Sequence, residues 1–89
     1  MISAKDKKII REISAKYHIS RVLLFGSSLV DPDKSRDIDI AVEGISPRDF
    51  FKYYGELIIR LSKPVDVIDL SSKSKFIDII EEEGVLLYG

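Results

Sequence analysis

Apolar and polar positions change period several times along this chain, and each change marks an element. Near the start, Ile9, Ile10, Ile13 and Tyr17 recur at helical spacing with Lys and Arg between them, the pattern of an amphipathic helix. Ser3 is placed to cap it, with Asp6 three residues on as a capping-box partner. Arg21-Val22-Leu23-Leu24-Phe25 is then a short apolar run closed by Gly26, which predicts a strand buried on both faces. Asp31-Pro32-Asp33-Lys34-Ser35 is a turn cluster. From Asp37 to Val42 the pattern alternates strictly. Ile38, Ile40 and Val42 are expected to face a core, and Asp37, Asp39 and Ala41 the opposite side.

Ser46-Pro47-Arg48-Asp49 opens a second helix with a capping Ser, Pro at the first helical position and an acid in the first turn. Phe50, Phe51, Tyr54, Leu57, Ile58 and Leu61 are the predicted inward face. Gly55, inside that helix, costs about 1 kcal/mol relative to Ala, and a close approach of helix to sheet would explain it. Val65 to Leu70, after Pro64, is the third strand. Ser72 to Glu83 is the last helix, with Phe76, Ile79 and Ile80 inward and Gly84 as its stop. Glu81, Glu82 and Glu83 sit where the helix dipole disfavours anions, an odd choice unless something else uses them; they read as an acidic exposed helix end, with contact to a basic partner as the alternative. Val85 to Tyr88 reads as a fourth strand. The order α-β-β-α-β-α-β predicts an α/β (α+β) fold in which helices pack on a small sheet. The helix between the second and third strands implies a crossover and hence a mixed sheet.

At 89 residues, residues 1–89 are expected to form one small domain. The net charge of −1 offers no general attraction to nucleic acid or an anionic membrane, so direct nucleic-acid binding is not expected. The absence of cysteine and the single His18 exclude a disulfide framework, a thiolate zinc site and a histidine-rich metal site. No apolar run approaches the ~20 residues of a membrane span, and the first residues lack the basic-then-apolar order of a signal peptide. A cytoplasmic protein is the expectation. The small core and apolar tail add self-association as a further one.

The candidate chemistry lies in the acids. Residues i and i+2 of a strand point to one face, roughly 6.6 Å apart. Asp37 and Asp39 so placed can share divalent cations held ~3.5–4 Å apart. Hard carboxylate oxygens suit Mg²⁺ or Mn²⁺. The plain alternative is a solvent-facing stripe, although Asp is depleted in strands and two like charges on one face repel; the pattern alone leaves both open. Asp66 and Asp69 have opposite parity in the third strand, so at most one faces such a site, and Asp66 taken alone reads as a surface acid. Gly26 would let a phosphate approach backbone N–H groups, with Ser27 and Ser28 as hydroxyl donors at a possible helix start. A lone Gly-Ser is weak evidence, and no Gly-Lys-Ser/Thr follows as in a P-loop.

Gly26-Ser27, a spacer, Asp37-x-Asp39 on a strand and a later strand carrying Asp66 together resemble the nucleotidyltransferase superfamily related to DNA polymerase beta. Size and element order are similar to its minimal (MNT) members, which are often encoded beside a HEPN-domain protein. The resemblance runs from the opening helix to Glu83-Gly84-Val85-Leu86-Leu87-Tyr88. It implies that Gly26 and Ser27, with Ser28 beside them, hold the triphosphate of ATP or another nucleoside triphosphate. It implies Asp37, Asp39 and Asp66 as catalytic and metal-binding residues for two Mg²⁺ ions, with Asp66 also able to take the proton of an attacking hydroxyl. The implied acceptor is a tyrosine of a HEPN toxin, with the chain acting as antitoxin. The departures are a spacer of nine residues between Ser27 and Asp37, one shorter than usual, and the absence of the common Arg and Gly after the Gly-Ser pair. Asp31 and Asp33 add negative charge there, which Lys34 and Arg36 would offset; these changes bear on nucleotide affinity more than on metal binding.

Two other functions fit parts of the pattern. The same fold with a weak or lost active site would neutralise a partner by binding alone, which the short spacer favours and the three acids disfavour. Haloacid-dehalogenase-type phosphatases also use Asp-x-Asp, but Asp37 stands at a strand start after Lys34-Ser35-Arg36, and no Thr or Val occupies the second position after Asp39. Tyr53 and Tyr88 are expected to be exposed and open to an interface, with Tyr54 and Phe51 in the core. Arg21, Arg36, Arg48 and Lys52 read mostly as solvated side chains, with a basic rim for phosphate or RNA as the alternative. His18 reads as a solvated helix-end residue.

Overall fold

A computed structural model describes residues 2–26 and 37–89. Ser27, Ser28, the turn cluster and Arg36 lie outside the described residues. The elements follow the predicted order: α1 (Ala4–Lys16), β1 (Arg21–Phe25), β2 (Ile38–Glu43), α2 (Pro47–Arg60), β3 (Val65–Asp69), α3 (Lys75–Glu83) and β4 (Val85–Tyr88). The strands form one mixed sheet in the order β3-β2-β1-β4. β1 runs antiparallel to both β2 and β4, and β2 runs parallel to β3. A parallel neighbour requires a crossover, and α2 supplies it.

The alternation of β2 sorts its side chains as expected. Ile38, Ile40 and Val42 join Val22, Leu24, Val65, Val67 and Leu87 in a core cluster with Ile9, Ile10 and Ile13 of α1 and Tyr53 and Leu57 of α2. On the opposite face, Leu23 and Ala41 pack with Leu70, Ile77 and Ile80, beneath α3. The sheet is therefore a middle layer with two helices on one face and one on the other. Among the described residues, no helix is long and apolar enough to cross a membrane.

Several expectations change at the level of helix faces. In α2, Tyr53 is fully buried and Phe51 is 80% exposed, with Ile58 and Ile59 also outside. The buried stripe is Tyr53, Leu57 and Leu61, flanked by half-buried Phe50 and Tyr54. Tyr53 tolerates burial because its hydroxyl shares a 2.9 Å hydrogen bond with buried Ser14 of α1, and burial pushes its phenol up to about 12. Tyr88 is half-buried against the same cluster rather than exposed. In α3 the inward residues are Ile77 and Ile80, whereas Phe76 and Ile79 are each 52% exposed.

Gly55 does not mark a close approach, since a Cβ there would meet nothing within 4 Å. Gly84 does: a Cβ would come to 2.6 Å from the Ile80 carbonyl oxygen and 3.2 Å from Leu23 Cβ. The α1 cap is one-sided. Ser3 Oγ accepts from the Asp6 N–H at 3.1 Å, but the buried Asp6 carboxylate accepts from the Ser62 N–H at 3.1 Å and from the Ser62 hydroxyl. Asp6 thus ties the end of α2 to the start of α1 instead of completing a capping box. Glu81 does find a use, accepting with Glu43 from Arg21.

Candidate active site

The parallel pairing of β2 with β3 puts Asp39 and Asp66 in register as Cα partners. Paired residues of neighbouring strands share a face, and strands lie ~4.8 Å apart, so the two acids stand side by side. Asp37 is exposed just before β2, two residues from Asp39. On the other flank of Asp39, antiparallel pairing makes Phe25 its register partner. Phe25 leads directly into Gly26, whose φ of +79° lies in the left-handed region. A Cβ on Gly26 would stand 2.5 Å from Asp39 Oδ2, so the Gly26 backbone lies against the Asp39 carboxylate. Three separate stretches of chain thus meet around Asp39, on the sheet face that carries α3.

The electrostatics agree with this crowding. Burial raises the Asp39 pKa above the ordinary carboxylate value, and the charges of Asp66 and Asp37 raise it further. The Asp66 side chain accepts a hydrogen bond from Tyr54 Oη at 3.2 Å. Burial raises the Tyr54 phenol as well, with the Asp66 charge and this hydrogen bond adding to the shift. Asp69, of the other parity, accepts from the Ser71 N–H at 2.9 Å and shapes the turn after β3. Among the described residues, no three His, Cys, Asp or Glu side chains converge closely enough to hold a metal ion. The donor chemistry nevertheless fits a hard divalent cation: three carboxylates, with Asp39 destabilised as an anion by burial and by the other two.

Of the sequence-predicted residues, Gly26, Asp37, Asp39 and Asp66 come to this one place, whereas Ser27 and Ser28 lie outside the described residues. Arg21 is not part of a phosphate-binding rim. It forms a bidentate pair with Glu43 at 3.2 and 3.1 Å and a further ion pair with Glu81. Arg48 and Lys52 are exposed on α2. Sequence reasoning missed two aromatic contributions. Tyr54 was expected in the core, and only its long polar tip hinted that it could reach beyond it. Phe76 of α3 packs edge-on against Phe25 with ring centroids 5.9 Å apart, beside the Gly26 turn.

Comparison with known proteins adds to this geometry. No curated protein matches the chain. Among solved structures, it is similar to a mutant form of the toxin–antitoxin MntA–HepT, with a TM-score of 0.76 and 27% identity over 98% of this chain and 74% of the other. A toxin–antitoxin with AMP-PNP gives a TM-score of 0.76 and 24% identity over 93% of this chain and 73% of the other. A tri-AMPylated Shewanella oneidensis HEPN toxin in complex with MNT antitoxin gives a TM-score of 0.72 and 24% identity over 94% of this chain and 70% of the other. Residues 7–89 match the family described as Polymerase beta, Nucleotidyltransferase; with its in-register acids beside a glycine turn, the chain belongs to that family as a minimal nucleotidyltransferase domain.

Proposed function

We propose that this domain transfers AMP from ATP to a hydroxyl, most specifically a tyrosine of a partner HEPN toxin, and thereby acts as the antitoxin of the pair. The observation that carries this reading is the register of Asp39 with Asp66, with Gly26 packed on Asp39. The similarity to an AMP-PNP-bound toxin–antitoxin and to a complex with an AMPylated HEPN toxin supports the choice of nucleotide and partner.

Asp37, Asp39 and Asp66 would hold Mg²⁺. When bound, Mg²⁺ supplies positive charge that neutralises the phosphates and the developing transition-state charge. The chain's own contributions are distinct. Gly26, with Ser27 and Ser28 next to it, would bind the triphosphate. Asp39 sits between the turn and Asp66 and would set the distance between donor nucleotide and acceptor. Asp66, exposed at the sheet edge, would take the hydroxyl proton. The acceptor oxygen then forms its bond to the α-phosphorus as the bond to the pyrophosphate oxygen breaks.

Incubation of the chain with α-labelled ATP, Mg²⁺ and its HEPN partner tests this. Label on a partner tyrosine, lost in Asp39→Asn, is the expected result. Inhibition of the partner with no label transferred would instead establish an antitoxin that acts by binding. The shortened spacer favours that second reading.

A further inference from the structure

Tyr54 belongs to α2, which packs on the face of the sheet opposite the acids. Its ring lies edge-on to Phe50, with centroids 6.1 Å apart and planes at 79°. Yet its hydroxyl donates to Asp66 Oδ1 at 3.2 Å. The sheet order explains how this is possible. β3 is an edge strand, so a long side chain from α2 reaches round it to the other face. Among the described residues, the Asp66 carboxylate makes no second hydrogen bond. Phenylalanine would fill the same half-buried place but could not donate to the acid.

We propose that Tyr54 is a positioning residue for Asp66: it ties one carboxylate oxygen at the sheet edge and so orients the other toward Asp39. This rests on the transferase reading above. An exposed aspartate samples several rotamers, and selecting one on ion binding costs entropy. A hydrogen bond made in advance lowers that cost. Hydrogen bonds to ligating carboxylates are typically worth roughly 10–100-fold in metal affinity or activity.

The test is Tyr54→Phe, with Tyr53→Phe as control, since Tyr53 bonds Ser14 and not the site. Three quantities are measured: Asp66 Hα–Hβ NMR couplings without metal, Mn²⁺ binding by electron paramagnetic resonance of the free ion, and AMP transfer to the partner. In Tyr54→Phe we expect couplings averaged over rotamers, Mn²⁺ bound about tenfold more weakly and transfer slowed to match. The control should leave the Asp66 couplings and Mn²⁺ binding unchanged. Wild-type couplings together with wild-type Mn²⁺ affinity in Tyr54→Phe overturn the inference while the transferase reading stands. Failure of the wild-type chain to bind Mn²⁺ overturns the metal reading itself, and the role of Tyr54 with it.

Discussion

Around Asp39 the fold favours the protonated carboxyl over the anion. Burial and the charges of Asp66 and Asp37 raise its pKa in the folded state, so the fold binds that proton more tightly than the unfolded chain does. A raised folded pKa contributes stability that is fully present below the unfolded pKa and lost as pH rises through the folded value. At neutral pH without divalent ions, ionised Asp39 is therefore destabilising. Asp39→Asn should be more stable than wild type in urea melts at neutral pH with chelator, and the difference should vanish well below the carboxylate range. A gain of equal size at both pH values would refute this electrostatic origin. The same variant should lose transfer by about 100-fold or more, as expected for a main charged group of a reacting centre. Gly26→Ala should act on Asp39 from the other side. Its Cβ would sit 2.5 Å from Asp39 Oδ2 at a φ of +79°, and the left-handed backbone alone costs ~1–2 kcal/mol. Denaturation should show that loss, and transfer should fall with it; wild-type transfer in Gly26→Ala would remove the close packing from the mechanism. Asp37 and Asp39 were legible in the sequence because strand alternation assigns faces without tertiary information. The register of Asp39 with Asp66 was not, because it depends on how two distant segments pair.

At the scale of elements, legibility follows how one-sided each pattern is. β2 alternates strictly, and each of its apolar residues went where the pattern placed it. α2 is apolar at too many positions for its period to choose a face: stripes through Phe51 and Ile58 or through Tyr53 and Leu57 are both helical. Tertiary chemistry decides between them, since Tyr53 meets Ser14 across α1 and α2. The same ambiguity separates Ile77 and Ile80 of α3 from Phe76 and Ile79. Gly55 sits where nothing would meet a Cβ, so only its helix propensity counts. Gly55→Ala is expected to stabilise the fold by about 1 kcal/mol, read as a higher urea midpoint with an unchanged slope. A loss of stability would reveal a contact at Gly55 that the isolated domain does not show.

At the scale of the molecule, α1 and α2 cover one face of the sheet, whereas α3 packs on the other over Leu23 and Ala41. The acids lie on that second face, where Asp37 and Asp66 are exposed. A ligand there would bind the folded chain and not the unfolded one, because the carboxylates come from β3 and from around β2 and meet only through sheet pairing. Binding of that kind stabilises by about 2.7 kcal/mol at a hundredfold excess over Kd. In a domain of this size each kcal/mol moves Tm by roughly 4–8 °C. ATP with Mg²⁺ at saturating concentration should therefore raise the melting temperature of the wild-type chain by roughly 10–20 °C. Asp39→Asn should start from a higher melting temperature, because it no longer buries a charge beside Asp66 and Asp37, and respond little to the same ligands. The two effects have opposite signs, so general damage to the fold would not reproduce them. Equal ligand-induced shifts in both proteins would place the ions away from the paired acids.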